Sequence, residues 1–184
     1  MTITSAGRYF EHFRVGQHVR HRRGHTISEA DNQMLSLLTM NTAQTHFNRE
    51  SMSTYMDGAF PQPLLNACVA LGIAVGLTSQ DITENGVAEV GVRDFTMPAP
   101  IFVGDTVYVE STIVEVDPVS TRPDAGRLTY DLRAYTTSAA GAPSTLVLQA
   151  TRTVLVRKRA SWQDRDAAFD AGVRSRALEM LRKA

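Results

Sequence analysis

The chain has 184 residues, 43% hydrophobic and 21% charged, with 19 basic side chains balanced by 19 acidic ones. That length suffices for one domain with a real core, or one domain plus an appendage. A zero net charge gives no general attraction for nucleic acid or an anionic membrane, so any anionic partner must be met locally.

The N-terminal MTITSAGRYFEHF lacks the continuous apolar stretch of a secretory leader. Residues 18–27, HVRHRRGHTI, read as a first, polar strand. His12, His18, His21 and His25 lie on or near this basic segment and are expected at the surface. No Cys, Asp or Glu cluster accompanies them, so no metal site is expected. SEADNQMLSLLTM (28–40) reads as a helix capped by Ser28. Glu29 and Asp31 suit its positive first turn, and Met34, Leu35, Leu37 and Leu38 supply an apolar face. The loop LTMNTAQTHFN (38–48) follows, with one imidazole, His46, five residues after Asn41. Asn48 can cap a short helix over 49–56, and DGAFPQP (57–63) is a turn-rich connection.

NACVALGIAVGLT (66–78) begins with a capping Asn66 and is then apolar on every side. A helix of this kind is expected to be buried all round, with Gly72 and Gly76 allowing close backbone approach. Its apolar run, 67–77, is too short to span a bilayer. Cys68, the only cysteine, lies inside it and reads as a small buried hydrophobe. One cysteine excludes an intrachain disulfide framework and fits a cytoplasmic protein.

Four β-rich segments follow, at 87–98, 106–116, 127–137 and 145–157, separated by turn signals. In the third, Leu128, Tyr130, Leu132 and Ala134 fall on one face. Strands joined by short loops make an antiparallel sheet. An α+β architecture in which such a sheet curls around one buried helix is the hotdog fold, assigned here to residues 1–159. The remainder, 160–184, is charged yet periodic, with Phe169, Val173, Ala177, Met180 and Leu181 on one helical face. It reads as an amphipathic helix docked on the sheet or on a partner subunit, or as a solvated tail.

FEHFRVGQ (10–17), TMNTAQTHFN (39–48), FPQPLLNACVALG (60–72) and PAPIFVGDT (98–106) together resemble the MaoC-like dehydratases, in the correct order across residues 8–157. These are hotdog-fold hydratases of enoyl-CoA thioesters. The family motif has an Asp followed five positions later by a His, often as Asp-x-Asn-Pro-x-His. Here the His position is His46, the Asp position is Asn41, and the Asn-Pro falls on Ala43 and Gln44. The family's His-Gly at the mouth of the central helix falls on Asn66 and Ala67. The Met-Asn-Thr loop resembles a variant subset acting on short, branched, dicarboxylic thioesters of mesaconyl, itaconyl or methylmalyl type.

The resemblance implies His46 as proton carrier and Asn41 as a neutral partner that holds water or substrate. Asp31, Glu50 and Asp57 are alternative sources of a carboxylate. The start of the apolar helix, at Asn66, Ala67 and Cys68, offers unpaired N–H groups for a thioester oxyanion, with the Ala67 N–H as the first candidate. Arg93, Arg122 and Arg152 are candidates for the CoA phosphates. No cofactor is expected beyond the CoA of the substrate, and the expected assembly is a homodimer or a higher homo-oligomer. A hotdog thioesterase and a non-catalytic half of a hetero-oligomer are the competing readings. The first would need a carboxylate that the apolar helix lacks; the second suits the lost Asp but not the retained His46.

Overall fold

A computed structural model describes residues 7–137 and 144–183. Three long strands form the centre of one antiparallel sheet: β4 (Thr106–Asp117), β5 (Ala125–Thr137) and β6 (Thr145–Arg157). β3 (Gly86–Thr96) pairs with β6 at one edge, and β1 (His18–Arg20) and β2 (His25–Thr26) both pair with β4 at the other. The expected single first strand is thus two short ones, interrupted at Gly24, where the Tyr108 ring packs so closely that no Cβ would fit.

Period-two alternation dictates which face is buried. Leu128, Tyr130, Leu132 and Ala134 of β5 point into the core beside Val107, Val109 and Ile113 of β4 and Val154 and Val156 of β6. The helix α2 (Ala67–Thr78) lies on this face. Asn66 caps it, its side-chain oxygen accepting the Cys68 N–H at 2.9 Å, and Val69, Ala70 and Ala74 are buried beneath. A π-helical turn, Ser79–Thr83, extends it and buries Ile82.

The sheet covers only one side of α2. Ala67, Cys68, Gly72 and Gly76 are exposed, and a Cβ added at Gly72 or Gly76 would meet nothing. The expectation of all-round burial within the chain, Cys68 included, is therefore corrected. One curled sheet has a single concave face, and the opposite side of the helix stays open. All of β3 is exposed as well, including Val90, Val92 and Phe95.

Helix α1 (Glu29–Leu38) starts as the sequence indicates. Ser28 Oγ accepts the Asp31 N–H at 3.1 Å, and Asp31 accepts the Ser28 N–H at 2.8 Å. The orientation differs from expectation. Met34, Leu37 and Leu38 are exposed, and the buried residues are Asn32 and Ser36. The neighbouring loop carbonyls need donors, and the polar side of α1 supplies them. His21 is also corrected: it is buried, with Nδ1 2.8 Å from Asp81 and Nε2 2.9 Å from Ser111 Oγ. Residues 49–58 form 3₁₀ turns rather than one short helix. The C-terminal helix α3 (Arg159–Lys183) leaves Val173, Leu178 and Met180 exposed, and the side chains of Phe169, Ala177 and Leu181 lie outside the described residues. Among the described residues no helix is long and apolar enough to cross a membrane.

Candidate active site

The loop after α1 is built by its own polar side chains. Thr39 Oγ1 donates to Ser36 O at 2.8 Å, and Met40 turns the chain through a left-handed backbone (φ 60°). The Asn41 N–H then returns to Ser36 O at 3.0 Å, and Asn41 Oδ1 accepts the Ala43 N–H at 3.0 Å. This Asx turn leads into the 3₁₀ turn Gln44–His46. The neutral side chains around His46 therefore hold the loop in shape.

His46 Nδ1 lies 2.8 Å from Leu64 O. A carbonyl can only accept, so Nδ1 carries the proton of the neutral ring. Nε2 then holds the lone pair, and it has no partner among the described residues. Leu64 is itself fixed, with its N–H donating to Thr45 O at 2.9 Å. The imidazole is thus a base whose free nitrogen is chosen by a backbone acceptor.

A cleft of about 580 Å³ brings together Asn41, His46, Asn66, Ala67 and Cys68. Its walls include Phe60, Leu64 and the segment Met97–Ile101. All five residues expected at the reacting end thus share one cavity, from two separate stretches of chain. Asn66 is spent on structure: besides capping α2, its amide donates to Thr39 Oγ1 at 3.3 Å. That cap consumes the Cys68 N–H, whereas the Ala67 N–H, in the first turn, has no partner among the described residues. Asn41, with its oxygen engaged, is left with its NH₂ group as a donor. The side chains of the cleft therefore offer His46 Nε2 as an acceptor and Asn41 as a donor, beside the positive end of α2.

Among the described residues, none that lines the cleft is Asp, Glu, Lys or Arg. Asp31, Glu50 and Asp57 are absent from the lining, and Asp31 is already engaged by Ser28 and by His25 at 3.1 Å. The three arginines do not reach it either. Arg93 pairs with Asp94 at 2.6 Å, and Arg122 forms a two-pronged pair with Asp124 at 2.8 Å. Arg152 is buried, bonded to Glu89 at 2.6 Å and to the Tyr130 hydroxyl at 2.6 Å. Burial opposes its charge, but Glu89 and Tyr130 outweigh that and hold the guanidinium above its ordinary value. Each of the three is thus already paired with a carboxylate, and none lines this cleft. Two contributors were not read from the sequence: the Leu64 carbonyl, and Asn32, whose amide meets both His46 O and Leu64 O. The available signal was a polar residue in the middle of a helix.

A family model described as mesaconyl-CoA hydratase matches residues 2–177. The mesaconyl-CoA hydratase of Cereibacter sphaeroides is 29% identical over 115 residues, which make up 60% of this chain and 32% of the relative. The chain spans about a third of the length of the curated relatives it matches. A MaoC-like dehydratase from Rhodospirillum rubrum superposes with a TM-score of 0.69 at 19% identity, over 83% of this chain and 99% of that one. A Mycobacterium tuberculosis protein with a double hotdog fold gives 0.69 at 22% identity, over 83% and 44%. The described sheet and helix, the cleft at the mouth of α2 and a family match over nearly the whole sequence agree: the chain belongs to the mesaconyl-CoA hydratase family and has the MaoC-like hotdog fold.

Proposed function

We propose that the chain is an enoyl-CoA hydratase/dehydratase acting on a short, branched, dicarboxylic thioester of mesaconyl type. The observation that carries this reading is the pinned His46, its Nε2 free beside the N-terminus of α2 in one cleft. In the hydration direction, Nε2 takes a proton from water as the oxygen bonds to the β-carbon. The electron pair of the double bond moves onto the thioester, and the oxyanion is met by the Ala67 N–H and the helix dipole. The imidazolium then returns its proton to the α-carbon, so one histidine serves both transfers. Asn41 supplies a neutral donor where a carboxylate would repel a second carboxylate on the substrate. The mesaconyl-CoA hydratase relative supports this substrate class.

The proposed working unit is a homodimer in the cytoplasm. An exposed edge strand and the open side of α2 are surfaces a second hotdog would cover. The double hotdog neighbour, twice the length of the matched region, supports this assembly.

The test is turnover of the purified protein on mesaconyl-, itaconyl- and crotonyl-CoA, read by loss of enoyl-thioester absorbance. Hydration with a preference for the dicarboxylates is the expected result. Release of free thiol would instead mark a thioesterase, and silence on every thioester would mark a non-catalytic subunit.

A further inference from the structure

We propose that Asn32 is a positioning residue for His46, an inference that rests on the hydratase reading of the cleft. Asn32 sits inside α1 and is only 2% exposed. Its Nδ2 donates to His46 O at 3.1 Å and to Leu64 O at 3.2 Å, across 14 and 32 residues of sequence. Leu64 O is the same carbonyl that receives His46 Nδ1 at 2.8 Å. One carboxamide therefore ties the backbone of the base to the backbone of its acceptor.

The placement is unfavourable for stability alone. Burying an amide has a desolvation cost, and Asn32 Oδ1 has no hydrogen-bond partner among the described residues. A leucine of similar size would avoid that cost. What the amide supplies is a fixed separation between the 40–48 loop and the segment leading into α2. Without it, both carbonyls lose a donor, and the Leu64 N–H to Thr45 O bond alone is left to set the separation of the two stretches. The Nδ1–H···O bond then loosens, and the proton is free to reside on Nε2. That tautomer presents an N–H to the substrate where a base is needed. Asn32 thus selects the reactive form of His46 through Leu64 and does not touch substrate itself.

The experiment combines ¹⁵N NMR of the His46 ring with steady-state kinetics on wild type, Asn32→Leu and Ser36→Ala. Ser36 is buried on the same helix, and its hydroxyl has no hydrogen-bond partner among the described residues, so it controls for burial. Wild type should show the Nδ1–H tautomer alone, and Asn32→Leu a mixture. In Asn32→Leu kcat should fall about 10–100-fold, the usual effect of losing an orienting partner. KM should stay within about threefold, because ground-state binding is not what is lost. Ser36→Ala should match wild type in both readouts. A folded Asn32→Leu protein that keeps the single Nδ1–H tautomer and full kcat would overturn the proposal. The wild-type protein offers a second test that needs no variant: the Asn32 side-chain amide protons should exchange slowly with solvent, and exchange as fast as that of exposed amides would also overturn it. If wild type hydrates no enoyl thioester, the hydratase reading fails, while the tautomer comparison still decides the role of Asn32.

Discussion

Asn41 and His46 divide the polar work of the cleft because each has one end tied down. His46 Nδ1–H donates to Leu64 O, and Asn41 Oδ1 accepts the Ala43 N–H. What remains is one lone pair and one NH₂ group, a pairing suited to a substrate that carries its own negative charge. Asn41→Asp tests this. The new carboxylate should raise KM for mesaconyl-CoA by about tenfold, equivalent to ~1.4 kcal/mol, and leave crotonyl-CoA unaffected or improved. An equal gain on both substrates would mean that Asn41 merely weakens the family motif. That Asn41, His46, Asn66, Ala67 and Cys68 share one cleft was legible through the resemblance of the 39–48 and 60–72 segments to the family motifs. The carboxylate partners of the arginines were not read, because a sequence displays charge without its partner. Asp94 and Asp124 stand one and two positions away and could have been weighed, whereas Glu89 meets Arg152 only through the pairing of β3 with β6.

Helix α1 carries the 38–48 loop at its C-terminal end and Asn32 on its buried side, so its N-terminal cap reaches the cleft indirectly. Burial alone would push the Asp31 carboxyl up. The Ser28 N–H and hydroxyl and the His25 imidazole outweigh it and hold the group below its ordinary value of 3.8. A carboxyl depressed in the folded state contributes stability that is complete above its unfolded value and lost as pH falls through the folded one. Asp31→Ala should therefore lower stability near neutral pH by about 1 kcal/mol, the usual worth of a cap. The difference from wild type should shrink in acid, below about pH 4. A constant difference down to pH 2, followed by thermal melting, would contradict the assignment. The start of α1 was readable from Ser28 and Asp31, but its orientation was not. Apolar periodicity marks a stripe without saying what faces it, and the demand of His46 O and Leu64 O for donors turned Asn32 inward and Met34, Leu37 and Leu38 outward.

At the scale of the molecule, the four long strands were legible because the first two thirds of β4 and the C-terminal halves of β5 and β6 alternate in burial. The open side of α2 was not, since a helix buried by its own chain and one buried by a partner have the same composition. Crowding that side of the helix is therefore expected to affect assembly and not the folding of the single chain. Gly72→Leu should leave the isolated chain folded, because nothing stands within 4 Å of the new Cβ. It should weaken self-association by about tenfold or more, the scale of an overpacked contact. Sedimentation velocity across a dilution series reads this directly, and an unchanged dimer would place the interface elsewhere.

The proposed hydration turns on one nitrogen, His46 Nε2. Its most direct test is the turnover of mesaconyl-CoA by His46→Ala beside wild type, with thioester binding measured on both. Wild type should hydrate the substrate, and the variant should bind it with a Kd close to wild type while losing about 10²–10⁴-fold in kcat. Full activity in His46→Ala would show that the proton is carried by another group and that the cleft described here is not where the reaction occurs.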